Sequence, residues 1–93
     1  MMKEMEGKWL MTKLDLTLLM LLNENHVDNV SQAKTVTEII EMIPNSQRRA
    51  YNTVYRHLQS MVEQGYVKCG LMEWIARTYY ISETGKLFCS SMK

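Results

Sequence analysis

The segment covering residues 46–65 has the pattern of one amphipathic helix, and it constrains the fold more than any other part of the chain. At about 100° per residue its apolar residues fall on one stripe and its polar residues on the other side. Pro44 forces the preceding chain out of helical geometry, and Asn45 or Ser46 can cap a new helix. Gly65 suits the left-handed residue that often ends one. We predict a helix over residues 46–64, with a core-facing stripe of Tyr51, Val54, Leu58, Met61 and Val62.

The polar side of this helix carries Arg, Asn, Thr and His, and no acid occurs between Pro44 and Val62. The net charge of the chain is only +1, but seven of its ten acids precede Pro44 and all four arginines follow it. Glu63 comes only in the last turn. A basic face that has no acid until its end suits a polyanion, because arginine can bond guanine and asparagine can bond adenine in a bidentate manner. We therefore interpret the segment as a DNA recognition helix.

The first helix is predicted over residues 12–22, where Thr12 and Asp15 form a capping box. Its leucines and methionines spread beyond one stripe, so it is either a central core helix or a helix shared with a second subunit.

The second helix is predicted over residues 35–43, opened by a capping box of Thr35 and Glu38 and ended by Pro44. Its distance from the recognition helix is the spacing of a helix-turn-helix.

After Gly65 the apolar period changes from about 3.6 to about 2, which predicts a hairpin over residues 66–81. Val67, Cys69 and Leu71 are expected on one face of its first strand. Ser82 can cap a last helix over residues 82–92, and residues 1–11 form an arm without clear period. The 93 residues thus predict one domain with an α+β, mostly helical fold.

Three segments are similar in sequence to segments of known proteins: TVYRHL at residues 53–58, GYV at 65–67 and YISETG at 80–85. They resemble the corresponding stretches of PadR- and MarR-type transcriptional regulators. The resemblance implies a winged helix-turn-helix of three helices, a two-stranded β-wing and a C-terminal helix. It also implies sequence-specific binding to double-stranded DNA, as a homodimer. The small size is similar to that of winged-helix proteins from archaeal viruses, which are a candidate source.

Carried over by position, the resemblance assigns DNA contacts to the recognition helix and, more weakly, to the wing. Asn52 and Arg56 are the candidates for base edges, and His57 is at most a phosphate donor on the flank. The full set of candidate contacts is Ser46, Gln47, Arg48, Arg49, Asn52, Thr53, Arg56, His57, Lys68 and Arg77, with Ser46, Arg48 and Arg49 assigned to phosphates.

The wing tip departs from the family pattern, because it reads Leu-Met-Glu-Trp-Ile over residues 71–75 instead of being rich in Gly, Lys and Arg. Leu71 and Trp74 could pack on the first helix, on a second subunit or on another protein, or wedge into the duplex. The tip and the near-neutral charge leave an alternative function open, a winged-helix protein–protein interaction module without DNA binding.

A homodimer through the first and last helices would set two recognition helices roughly 34 Å apart, one turn of DNA. Cys89 is the candidate for the twofold axis, where an intersubunit Cys89–Cys89 disulfide could form. The alternatives are an internal Cys69–Cys89 bond and, as usual inside cells, two reduced thiols.

Other classes of function find little support in the sequence. The two cysteines form no CxxC pair, and His26 and Asp28 have no neighbours that complete a metal site, so no metal or cofactor is expected. We find no catalytic Ser–His–Asp or Cys–His pairing and no Gly-rich phosphate loop, so we expect no enzyme and no small-molecule partner. Without a signal peptide or a membrane span, the expected location is the cytoplasm.

Overall fold

The computed structural model describes residues 10–92, which form four helices and a three-stranded antiparallel sheet. The α+β, mostly helical fold class is confirmed. The predicted arm lies largely outside the described residues. In chain order the elements are α1 (Lys13–Glu24), β1 (Lys34–Thr35), α2 (Val36–Met42), α3 (Tyr51–Glu63), β2 (Val67–Cys69), β3 (Thr78–Ile81) and α4 (Glu83–Ser91), with short 3₁₀ turns at Val30–Gln32 and Asn45–Gln47.

Three helix starts are capped as the sequence predicts. Thr12 accepts a hydrogen bond from the Asp15 backbone at 3.1 Å, and its own backbone N–H donates to Asp15 Oδ2 at 3.0 Å. Thr35 and Glu38 form the same reciprocal pair at α2. Ser82 caps α4 by accepting from Gly85. Each cap satisfies backbone donors that have no partner inside the helix.

The predicted start of the recognition helix is wrong by five residues. Asn45–Gln47 form a separate 3₁₀ turn, and the chain is extended at Arg48 and again at Ala50, which precedes α3 without a side-chain cap. The Arg48 side chain donates hydrogen bonds backward to the end of α2, which ties this segment to α2.

Tyr51 was predicted in the core, but it lies in the first turn of α3 and is 51% exposed, stacked on Tyr55. The stripe packs against the protein only from Val54 onward, because the helix starts at the edge of the domain. Val54, Leu58 and Met61 are fully buried, and Gly65 beyond the helix has a φ of 87°, as predicted.

The sheet contains a strand that the sequence did not reveal. β1 pairs with β3, which also pairs with β2, so the strand order is β1-β3-β2. A two-residue strand is too short to show a period. Of the three residues expected on one face of the first wing strand, only Val67 is buried, since the ribbon then leaves the core and exposes Cys69 and Leu71.

One apolar cluster holds these elements together. Burial raises the pKa of the Tyr79 phenol to about 12, with the nearby Cys69 thiol adding to the effect, and the Tyr79 hydroxyl donates to Gln59 at 2.6 Å. The buried apolar residues of this cluster are Leu18, Leu19, Leu22, Val27, Val36, Ile39, Ile43, Val54, Leu58, Met61, Val67, Tyr79, Ile81 and Cys89.

Within residues 10–92, no helix combines the length and apolar character needed to cross a membrane.

We expect Gly85→Ala to destabilise the protein by about 1–3 kcal/mol, although alanine favours a helix over glycine. A Cβ at Gly85 would overlap the Tyr66 carbonyl oxygen and the Ile81 side chain. The free energy of unfolding in urea measures the effect. Ser90→Ala, at an exposed position of the same helix, is the matched control and should change stability by less than about 0.5 kcal/mol. Equal stability of Gly85→Ala and the wild type would contradict this packing.

Candidate nucleic-acid interface

The exposed side of α3 and the turn before it form one polar surface. Asn52 and Arg56 lie one helical turn apart on α3, both exposed, and Thr53 is half-buried beside them. Arg49 is exposed in the extended segment that leads into the helix. Ser46 and Gln47 are exposed on the 3₁₀ turn that precedes this segment. These six residues include two arginines and no acid, so the surface is polar and locally positive.

Arg48 differs from the other arginines of this region because its guanidinium is engaged within the protein. Its Nε donates to the Ile43 carbonyl at 2.8 Å and its Nη2 to the Glu41 carbonyl at 2.9 Å. Both carbonyls lie at the C-terminal end of α2, where backbone acceptors have no partner inside the helix. Arg48 therefore fixes the turn between α2 and α3, a role that the sequence did not indicate.

His57 lies on the flank of α3 as predicted, but its main contact is with the protein. Its Nδ1 donates to Asp15 Oδ1 at 2.6 Å, and the Asp15 side chain is almost completely buried. The second oxygen of Asp15 accepts from the Thr12 backbone. A single carboxylate thus caps α1 and holds α3. Sequence reasoning missed this contact because 42 residues separate the two partners.

Two surface clefts flank the start of α1. The larger, of about 350 Å³, lies between α1 and the turn before α3. The smaller, of about 260 Å³, lies between α1 and α3. We assigned no residue of α1 to the interface from the sequence. The larger cleft is lined by Lys13, Leu14, Thr17, Ser46, Gln47 and Arg49. The smaller cleft is lined by Thr12, Asp15, Arg56, His57 and Ser60.

The wing ribbon carries its two predicted cations, Lys68 and Arg77, as exposed side chains near its base. At its tip Glu73 and Ala76 exchange two backbone hydrogen bonds of 2.8 and 2.9 Å around a two-residue turn. Trp74 and Ile75 form this turn and are 95% and 90% exposed. Trp74 has a φ of 62°, a conformation that glycine adopts without strain and tryptophan does not.

The surroundings of Cys89 bear on the predicted disulfides. The residue lies on α4 as predicted, but its side chain belongs to the apolar cluster and is only 4% exposed. A contact between Cys89 and a second subunit lies outside a single chain, so the intersubunit disulfide stays a prediction. The alternative internal bond between Cys69 and Cys89 is absent, with Cys69 exposed and Cys89 buried. Within residues 10–92, no three His, Cys, Asp or Glu side chains are grouped closely enough to hold a metal ion.

Comparisons with known proteins identify the architecture. The solution structure of the DNA-binding TubR fragment from Clostridium botulinum matches 91% of this chain and 100% of its own, with 26% identity and a TM-score of 0.70. The crystal structure of a possible HxlR family transcriptional factor from Thermoplasma volcanium GSS1 matches 99% of this chain and 72% of its own. That second match has 18% identity and a TM-score of 0.64.

The predicted winged helix-turn-helix fold is confirmed, and with it the resemblance to winged-helix regulators. No protein-family model matches the chain, and no curated protein sequence does.

We expect His57→Ala to lower the free energy of unfolding by about 1–3 kcal/mol, because it leaves the buried Asp15 carboxylate with only the Thr12 contacts. Urea unfolding of the purified variant provides the measurement. Asn52→Ala, at an exposed position of the same helix, controls for helix propensity and should have a much smaller effect. If the two variants are equally stable, the Asp15–His57 contact does not hold α1 to α3.

Proposed function

We propose that this winged-helix chain is a sequence-specific, double-stranded DNA-binding transcriptional regulator that acts as a homodimer, with α3 in the major groove. The observation that carries the proposal is the polar surface of α3 and its preceding turn, which has no acid before Glu63 at the end of the helix. Its outward side chains are those that read and hold DNA, arginine and asparagine on the helix and polar residues just before it.

The structural neighbours support the same proposal. One is described as a DNA-binding fragment and the other as a possible transcriptional factor, and the first covers nearly all of this chain at 26% identity. A fold alone does not specify a function. The argument therefore combines the neighbours with the chemistry of the exposed face of α3.

The exposed positions suggest a division of roles among the candidate contacts. We assign Asn52 and Arg56 to base edges, because they share one exposed side of α3. We assign Arg49, with Ser46 and Gln47 before it, to phosphates at the approach to the helix. Thr53 and His57 are flank residues, and Lys68 and Arg77 would reach the backbone from the wing. Arg48 contributes by holding the turn, because two of its donors are already engaged.

We expect wild-type protein to bind duplex DNA with an affinity that falls steeply as salt rises, because phosphate contacts release counterions. Arg56→Ala should weaken binding to a selected site by about 1–3 kcal/mol and reduce the preference over random duplex. Gel-shift titrations at two salt concentrations measure both. The control variant Lys86→Gln also removes one positive charge. Lys86 is ion-paired with Asp28 at 3.3 Å, and the variant should bind DNA as the wild type does. Unchanged binding of Arg56→Ala would show that the assigned face is wrong.

The homodimer proposal rests on apolar side chains that α1 and α4 leave exposed. α1 and α4 pack against each other within the chain. Met20 on α1 is partly exposed, as are Leu87 on α4 and Met92 just after it. Such side chains favour a contact with a second copy of the same surface. Because Cys89 is buried, the proposed dimer depends on this apolar contact; the intersubunit disulfide stays a prediction that requires α4 to repack.

We expect Leu87→Asp to shift the protein from dimer to monomer, because a carboxylate would lie in the apolar seam of the dimer. Leu87 is 64% exposed in the single chain, so the variant should remain folded. Sedimentation equilibrium measures the association, and circular dichroism checks the fold. Val30→Asp makes the same kind of replacement at an exposed apolar residue outside α1 and α4, and should not change the association. A dimeric Leu87→Asp variant would rule out this seam.

A second candidate function, a protein–protein interaction module without DNA binding, is favoured by the wing tip. Trp74 and Ile75 place two large apolar side chains almost fully in water, at a turn that is strained for tryptophan. Heparin chromatography at moderate salt separates the two candidates. A DNA-binding protein should be retained, whereas an interaction module should pass through and also give no gel shift.

A further inference from the structure

We propose that the larger cleft beside α1 binds a phosphate of the DNA backbone, with Lys13 and Arg49 as its cationic pair. This inference rests on the proposed function and extends the interface to a helix outside the helix-turn-helix. The sequence assigned no contact to α1, because Lys13 and Arg49 are 36 positions apart and only the fold brings them to one cleft.

The chemistry of the cleft matches a phosphate diester. Among its six described lining residues are two cations, two hydroxyl groups and one amide, and none is acidic. Leu14 is the one apolar side chain among them. Small-molecule sites are lined mostly by apolar and aromatic groups, so this composition fits an anion better than a drug-like ligand. Lysine and arginine with neighbouring hydroxyl and amide donors are typical backbone contacts.

The two cations are available for such a ligand. Neither Lys13 nor Arg49 takes part in a salt bridge with any residue between 10 and 92. Arg48 and Lys86, in contrast, are engaged with backbone carbonyls and with Asp28 respectively. Two cations that line one cleft without a counter-charge repel each other, and a phosphate between them would relieve that repulsion.

The Asp15–His57 contact positions Lys13 for this role. Asp15 is bound to His57 on α3 and to the Thr12 backbone, so the first turn of α1 is fixed against α3. Lys13 lies between Thr12 and Asp15 in the chain, so its backbone belongs to the turn that these bonds hold against α3. A preorganised cation loses less conformational freedom when it binds than one on a mobile arm does.

The continuity of the surface identifies the ligand as DNA and not as a free phosphorylated compound. Ser46, Gln47 and Arg49 line the cleft and also lead into α3, whose Asn52 and Arg56 form the proposed base-reading side. A duplex held by α3 would therefore run its backbone past the cleft. The Lys13 contact should contribute affinity for every sequence and no preference for one.

The test compares the salt dependence of DNA binding for wild type, Lys13→Gln, Lys13→Arg and Lys86→Gln. The loss of one phosphate contact should reduce the magnitude of the slope of log affinity against log salt by about 0.9. At 0.1 M salt this corresponds to a loss of affinity of about eightfold. We expect this loss for Lys13→Gln on specific and random duplexes alike. Lys13→Arg should retain most of the slope, and Lys86→Gln should match the wild type.

A second measurement locates the contact on the DNA. Single phosphates of a selected site are replaced one at a time by neutral methylphosphonates. In the wild type, one replacement should weaken binding as Lys13→Gln does. In Lys13→Gln the same replacement should cost little more, because the contact is already lost.

Three outcomes overturn the inference, and each differs from a failure of the proposed function. Wild-type binding with an unchanged slope in Lys13→Gln removes the cleft from the interface but leaves the regulator proposal intact. A loss confined to one sequence shows base reading in place of a backbone contact. If inorganic phosphate at constant ionic strength saturably shifts the NMR signals of Lys13 and Thr17 while Lys13→Gln binds DNA normally, the cleft holds a free phosphate. Absence of any wild-type DNA binding overturns the regulator proposal itself.

Discussion

The geometry of the candidate interface depends on one buried carboxylate. A carboxylate removed from water is costly unless each oxygen has a partner, and Asp15 has one on each side. The Thr12 backbone satisfies one oxygen and closes the start of α1, while His57 satisfies the other and holds α3. Because the same carboxylate binds both helices, a shift of the start of α1 along α3 would leave a buried charge without a hydrogen-bond partner. The smaller of the two clefts beside α1 is lined by both partners of this contact.

The distribution of charge explains how a chain with a net charge of +1 can present a surface for a polyanion. Two of its acids are kept from that surface by their partners within the protein. Asp15 is buried against His57, and Asp28 is paired with Lys86. Of the arginines near the turn, Arg48 is bound to carbonyls of α2 and stabilises the turn, which leaves Arg49 and Arg56 as exposed cations. Local arrangement therefore decides the electrostatics of the interface more than the total charge does.

The wing differs from the polar surface of α3 because its tip is apolar. Its base carries cations, while its tip exposes Trp74 and Ile75 at a turn whose first residue has a positive φ. Both features cost stability, since the backbone is strained and apolar area remains in water. Natural sequences tolerate such costs mainly at functional sites, so the tip is a second candidate surface for contacting another molecule.

The sequence by itself determined the local features: the capping boxes of α1 and α2, the break at Pro44, the buried stripe of α3 from Val54 onward, and the polar residues opposite it. Each follows from interactions within about four residues, which a sequence displays directly. Only the tertiary structure decided where α3 begins, that β1 pairs with β3 and that Cys89 faces the core. It also decided that Asp15 contacts α3 and that Lys13 lies beside the turn before it. These features depend on partners far away in the chain, such as Asp15 with His57, and local propensity carries no information about such partners.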